Sequence, residues 1–306
     1  DGIAFLIEDF MFKYHPHMIF AADGVGKTYL LIQTGVQGNA GVPIFGKFQC
    51  QRPLTVLYAP TERHESEPLS RLYAMVQATP AFDWDRFILT TILQEHSLTT
   101  ETGVIQAVSA LNRARRDMVI DLLIVDPVYP IIGGLSSDDG ARQLADFDRR
   151  IGIAFGGVSG LYSHHTNRGT RDPNQGGKRV GEDIYGSRFI SAHFTGLYHM
   201  EQTDEGSSLK RKKDSHSGLA KIIQLRFVEE TGLSWVIDHE PPSAVAVRKY
   251  VTSMSGKGEF TRKDVMKECR LGLSQLKRVE PTELRPYMVR KGTNNETFYA
   301  NRVHQK

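Results

Sequence analysis

Apolar residues in the first 240 positions fall into short runs separated by amphipathic stretches. The runs His17–Ala21, Leu54–Ala59, Phe87–Thr91, Leu122–Asp126 and Val158–His164 are too short for helices and read as strands. Thr28–Gln37 and Glu67–Ala78 place apolar residues at helical spacing between them. This alternation predicts an α/β fold, a mostly parallel sheet with helices on both faces. Residues 166–185 are glycine-rich, poor in apolar side chains, and read as a loop. Residues 241–257 contain Pro241, Pro242, Gly256 and several small residues, and read as a linker. Beyond it, Thr261 and Asp264 form a capping-box pattern at the start of one short helix, and Leu273–Val279 suits a second. Tyr287–Lys291 and Thr297–Asn301 then alternate like strands around Gly292-Thr293-Asn294-Asn295. Two helices followed by a hairpin predict a small C-terminal winged-helix-like domain at 258–306, after an α/β domain at 1–240.

Composition narrows the class. A chain of 306 residues holds one sizeable α/β core and a small appendage, and its 40% hydrophobic and 24% charged content is ordinary for a globular protein. No apolar run approaches the roughly 20 residues of a membrane helix. Glu8 and Asp9 interrupt the early apolar stretch, so no secretory signal is expected. The first residue is Asp1 rather than Met, so the native beginning is expected to be missing. Cys50 and Cys269 alone support neither a cysteine-rich zinc site nor a disulfide framework. The expectation is a cytoplasmic protein with no membrane partner. Charge is uneven: residues 241–306 carry 14 Lys/Arg against 6 Asp/Glu, a net +8, which leaves 24 against 29, a net −5, for residues 1–240. A basic appendage on a slightly acidic core points to a polyanion or, equally, to a solvated charged surface.

The clearest chemistry lies at Ala21-Ala22-Asp23-Gly24-Val25-Gly26-Lys27-Thr28, between a predicted strand and a predicted helix. This is the setting of a Walker A loop, whose backbone N–H groups and helix N-terminus cradle phosphates. Asp23 through Tyr29 are therefore candidate nucleotide contacts: Asp23, Gly24, Val25, Gly26, Lys27, Thr28 and Tyr29. Lys27 would reach the β- and γ-phosphates of ATP, and the Thr28 hydroxyl would ligate Mg2+. Ala21 stands where the motif has its first glycine. Leu122-Leu123-Ile124-Val125-Asp126 reads as a buried strand that ends in one carboxylate at the sheet's carboxyl edge, where α/β ligand sites lie. Asp126 is the second candidate for holding the metal, through water. Pro127 follows it, so a water-activating carboxylate has to come from elsewhere. Glu62, in Tyr58-Ala59-Pro60-Thr61-Glu62, is the candidate, with Glu65 and Glu67 as rivals.

With these residues placed, the chain resembles RecA-like P-loop ATPases, and within them the plasmid RepA-type hexameric replicative helicases and related phage ATPases. The resemblance covers about residues 1–235. It rests on Phe5-Leu6-Ile7-Glu8 leading to the P-loop, on Tyr58-Ala59-Pro60-Thr61-Glu62, on Leu161-Tyr162-Ser163-His164-His165-Thr166, and on Tyr185-Gly186-Ser187-Arg188. It implies a catalytic Glu62 on the strand next to the P-loop strand, and a paired-histidine strand that senses the γ-phosphate. Adjacent strand residues point to opposite faces, which argues against joint metal ligation by the pair. One imidazole suffices as sensor: the resemblance implies His165, with His164 as the alternative. It further implies that the loop after this strand faces DNA in the ring channel, which makes Arg168, Arg171, Lys178 and Arg179 candidate phosphate contacts for single-stranded DNA. Leu209-Lys210-Arg211-Lys212-Lys213 is the densest cation run; Arg211 and Lys213 are candidates for a finger onto a neighbour's γ-phosphate, and an exposed hairpin tip is the other reading. The family's arginine in the preceding strand falls near Thr195. In the tail, Arg270, Lys277, Arg278, Arg290 and Lys291 suit DNA phosphates, or the tail joins subunits. The expected function is an ATP-driven, ring-forming DNA helicase or translocase of mobile-element replication type, a homo-hexamer. The alternatives are a recombinase-like filament and a nucleotide-switched DNA-binding regulator.

Overall fold

The structure, a computed structural model, describes residues 4–62, 66–132, 138–166, 192–203, 206–216, 218–228 and 233–236 of one compact unit, Asp1–Ile237. In a second unit, Asp238–Lys306, it describes 247, 250–251, 253–254, 259–270, 276, 284, 288–290 and 297–299.

The first unit opens with an antiparallel pair, β1 (Phe5–Ile7) and β2 (Met11–Phe12). The main sheet follows: β3 (Pro16–Ala21), β4 (Val56–Pro60), β5 (Phe87–Leu89), β6 (Leu122–Asp126), β7 (Ser159–His165), β8 (Gly196–Thr203), β9 (Gly206–Asp214), β10 (Ile222–Val228) and β11 (Leu233–Val236). Among the described residues its order is β11-β10-β9-β8-β3-β7-β6-β4-β5. The six strands from β8 to β5 run parallel, and β9, β10 and β11 extend the edge as an antiparallel meander. This is an α/β unit with a mostly parallel mixed sheet.

Burial on both faces explains why the central strands read as unbroken apolar runs rather than alternating ones. Every residue of β6 is buried. On one face, Ile19, Tyr58, Ile124 and Leu161 pack with α1 (Lys27–Ala40) and α2 (Ser66–Gln77). On the other, Met18, Leu57, Val125 and Tyr162 pack with α3 (Glu101–Ala114) and α4 (Asp138–Phe155). Gly35 lets α1 approach closely, because a Cβ there would lie 3.1 Å from the Ile124 side chain.

The second unit has its own small core of Val247, Val251, Phe260, Val265, Leu276 and Leu284. Val247 and Val251 fall within the stretch read as a linker, yet they are buried in this core. Helix α5 (Arg262–Glu268) begins with the reciprocal cap: Thr261 Oγ1 accepts from the Asp264 N–H at 3.3 Å, and Asp264 Oδ2 accepts from the Thr261 N–H at 2.7 Å. Strands β12 (Glu259–Thr261), β13 (Met288–Arg290) and β14 (Thr297–Tyr299) pair antiparallel in the order β12-β14-β13. Lys277, Arg278 and Lys291 lie outside the described residues, as does the hairpin turn.

In the first unit, His17 on β3 is a buried polar residue with 1% of its surface exposed. Its Nε2 accepts from the Phe12 N–H at 3.1 Å, and its Nδ1 lies 3.1 Å from the His15 carbonyl, which makes Nδ1–H the donor. Burial pushes its pKa down from 6.5 to about 3. The folded state thus keeps His17 neutral, while the unfolded chain takes up a proton below pH 6.5. The stability held by neutral His17 is complete above pH 6.5 and is lost as pH falls toward 3, by about 1.4 kcal/mol per pH unit. Denaturation of the native chain and of His17→Gln between pH 7 and 4.5 checks this: the variant should be less stable at pH 7 and show a shallower acid dependence.

Candidate active site

The parallel strands carry the site at their carboxyl ends, on the α1 face. Strand β3 ends at Ala21, the loop turns through Gly24 (φ +78°) and Gly26 (φ +102°), and α1 begins at Lys27. Ala21 stays in the strand and has no positive φ, so alanine is tolerated where the motif has glycine. No side chain caps α1, and its first turn holds no acidic residue. Its amides and dipole thus present positive potential to an anion. Lys27 is 7% exposed, and its ammonium donates to the carbonyls of Ala21 at 3.0 Å and Ala22 at 2.9 Å and lies 3.4 Å from His165 Nδ1.

A cleft of about 820 Å³ opens over this loop. Asp23, Gly24, Gly26, Lys27, Thr28, Tyr29, Glu62, Asp126 and His165, all anticipated from the sequence, line it. Val25 instead packs on the apolar core, which confines its part in the loop to its backbone. Strand parity sorts the remaining groups. Asp126 follows Ile124 by two positions and His165 follows Leu161 by four, so both share the α1 face. His164 turns the other way and is fully buried. Burial lowers its pKa to about 4, and its Nδ1 donates to the His165 carbonyl at 2.7 Å. The Tyr129 ring, which lines the cleft, meets His164 edge-on at 6.1 Å.

Three acidic groups approach from different elements. Asp126, 5% exposed, accepts from the Tyr58 hydroxyl at 3.0 Å on Oδ2 and from the Ser163 hydroxyl on Oδ1. Asp23 Oδ1 pairs with His165 Nδ1, and Glu62 Oε1 lies 3.7 Å from His165 Nε2. His165 thus stands between the loop carboxylate and the candidate water-activating carboxylate. Glu62 does not arrive from the strand beside β3, as the resemblance implied. The neighbours of β3 are β7 and β8, and β4 lies two strands further out, beyond β7 and β6. Glu62 reaches the cleft because β4 ends level with β6, Pro60 opposite Asp126. Glu65 lies outside the described residues, as does the side chain of Glu67.

Several site residues were missed in the sequence. Arg71 of α2 lies over the Tyr29 ring at 4.6 Å, and both line the cleft. Pro68 and Arg71, three apart on α2, also face the cleft; helical spacing would have paired them once α2 was set beside the P-loop. Tyr129 carries no motif that marks it, and Tyr58, although within the stretch quoted for the resemblance, was assigned no role of its own.

The cation run 210–213 lies within β9 rather than at a hairpin tip. Lys210 pairs with Glu201, and Arg211 donates to Asp214 and the Leu219 carbonyl. Lys213 donates to the Ala192 carbonyl at 2.8 Å. Register sets Arg211 and Lys213 opposite Tyr198 and Leu197, toward the sheet edge where the parallel strands begin and away from this unit's own cleft. Arg168, Arg171, Lys178 and Arg179 lie outside the described residues.

The Thr28 hydroxyl and the Asp126 carboxylate, the two groups expected to hold a metal, both line the cleft and both offer oxygen. This set suits a hard cation that keeps most of its coordination for phosphate and water, as Mg2+ does. Among the described residues no cluster of three or more His, Cys, Asp or Glu forms a protein cage for a metal. No helix among them is long and apolar enough to cross a membrane.

A phosphate loop between the central strand of a parallel sheet and its first helix, with a strand-end aspartate two strands away, defines a P-loop nucleotide-binding unit. A family model described as an AAA domain matches residues 4–171. The chain belongs to this family, one of RecA-like P-loop ATPases that includes helicase-like members. Nucleotide binding goes with the family. No curated protein matches the chain.

Gly26 offers a test of the loop's backbone. A Cβ there would find its nearest neighbour, a Met200 methyl, at 3.7 Å, so space is not the obstacle; the φ of +102° is. Gly26→Ala should lose about 1–2 kcal/mol of stability. Gly152→Ala, in α4 with open space around it, should gain about 0.5–1 kcal/mol. Urea denaturation of both variants checks the opposite signs.

Proposed function

We propose that the chain is an ATP-driven, ring-forming DNA helicase or translocase of mobile-element replication type, nearest in kind to the RepA-type hexameric helicases. The observation that carries the reading is the convergence of Lys27, Thr28, Glu62, Asp126 and His165 on one cleft beside a helix N-terminus. In this reading Lys27 exchanges the Ala21 and Ala22 carbonyls for the β- and γ-phosphates of ATP. Thr28 and Asp126 hold Mg2+, which when bound offsets charge on the phosphates. Glu62 orients the attacking water and accepts its proton. His165 contacts Lys27, Asp23 and Glu62, so a γ-phosphate among these groups alters its partners; that makes it the sensor. The flat faces of Tyr29 and Arg71 form a shelf suited to stacking a nucleobase.

The partner in this reading is single-stranded DNA, met by Arg168, Arg171, Lys178 and Arg179 and assisted by the basic second unit. A homo-hexamer would complete each site with a neighbour's cation. Arg211 could serve only by giving up Asp214 and the Leu219 carbonyl, and Lys213 only by giving up the Ala192 carbonyl.

Glu62→Gln should bind ATP yet hydrolyse it about two to four orders of magnitude more slowly. The native chain should raise its ATP turnover on addition of single-stranded DNA. ATP hydrolysis indifferent to DNA would move the reading to a nucleotide-switched regulator, and unimpaired hydrolysis by Glu62→Gln would remove Glu62 from its role.

A further inference from the structure

Asp126 is held from both sides. Strand β6 lies between β4 and β7, and each neighbour sends one hydroxyl to it: Tyr58 to Oδ2 at 3.0 Å and Ser163 to Oδ1. All three side chains lie on one face of the sheet. Tyr58 sits two residues before Pro60, which is opposite Asp126, and Ser163 follows Tyr162, which is opposite Val125. The arrangement is dry: Tyr58 is 1% exposed, Ser163 0% and Asp126 5%. Asp126 lines the cleft and Ser163 does not, so Ser163 reaches the cleft only through the carboxylate.

A buried carboxylate without donors carries a large desolvation cost and turns to whatever donor is near. Two fixed donors remove that freedom. Each oxygen accepts one protein hydrogen bond and keeps a lone pair directed elsewhere. The carboxylate is then pre-oriented, and each oxygen would keep one acceptor position through which it could help hold a hydrated cation. Loss of a group that orients a metal's ligand in this way typically costs about 10–100-fold in metal affinity.

We propose that Ser163 and Tyr58 are positioning residues for the divalent cation, acting through Asp126, and that Ser163 in particular couples metal binding to nucleotide binding. The inference rests on the reading of the cleft as a Mg-ATP site.

The test needs no turnover. A fluorescent, non-hydrolysable ATP analogue is titrated into the full chain with Mg2+ absent and with Mg2+ saturating. The ratio of the two affinities is the coupling between metal and nucleotide. Ser163→Ala should keep the metal-free affinity within about twofold and lower the coupling about 10–100-fold. Ser163→Thr, which keeps the hydroxyl, should restore it. Tyr58→Phe, which removes only the other donor, should lower the coupling in the same direction and serves if a Ser163 variant fails to fold. A purely structural role for the hydroxyls predicts a lower melting temperature with unchanged coupling in both Ser163→Ala and Tyr58→Phe; that result would overturn the inference and leave the nucleotide site standing. Failure of the native chain to bind the analogue at all would overturn the site reading and this inference with it.

Discussion

Strand parity in a parallel sheet is the constraint on which the site depends. Successive side chains point to opposite faces, so each strand that ends at the carboxyl edge offers alternate residues to the α1 side. β4 offers Tyr58, β6 offers Asp126, and β7 offers Ser163 and His165. A one-residue slip of β7 against β6 would bury His165, turn His164 into the cleft and take Ser163 from Asp126. Apolar burial on both faces prevents the slip, because Leu161 and Tyr162 belong to two different cores. The packing that stabilises the sheet is thus also what aims its polar ends.

The polar end of the sheet is held mostly by contacts inside the protein. Lys27 rests on two loop carbonyls, Asp126 on two hydroxyls, and His165 between Asp23 and Glu62. A phosphate chain entering this cleft has to displace some of these bonds, and gains only the difference between old and new partners. Lys27 has most to gain, since it exchanges neutral carbonyls for charged oxygens. Asp126 keeps its hydroxyl donors throughout, because they approach from the strand side. The cleft therefore combines a cation held by loop carbonyls with an anion held by hydroxyls from the neighbouring strands.

Much of this was legible in the sequence, for identifiable reasons. Gly26-Lys27-Thr28 is a local motif whose backbone demands are met within a few residues, and Leu122–Asp126 shows its burial by its unbroken apolar run. His165 was favoured over His164 by resemblance, and parity sets it on the cleft side. What stayed hidden depends on contacts distant in sequence. Arg71 matters because α2 packs beside Tyr29, and Ser163 because β7 pairs with β6; neither fact is written locally. The meander β9–β11 was missed for a different reason: only Leu209 is apolar within 209–213, and β9 is held by its ladders to β8 and β10 rather than by a pattern of its own. That same ladder draws Arg211 inward to Asp214, whereas the sequence showed only a cluster of cations.

The account stands on Lys27 as the group that meets phosphate. Calorimetric titration of a non-hydrolysable ATP analogue with Mg2+ into the native chain and into Lys27→Ala tests it most directly. Loss of a charged hydrogen-bond donor costs about 1.5–3 kcal/mol, so the account predicts saturable one-site binding by the native chain and affinity about 10–100-fold weaker in the variant, with the fold intact by circular dichroism. Equal affinity in the two proteins, both folded, would contradict it.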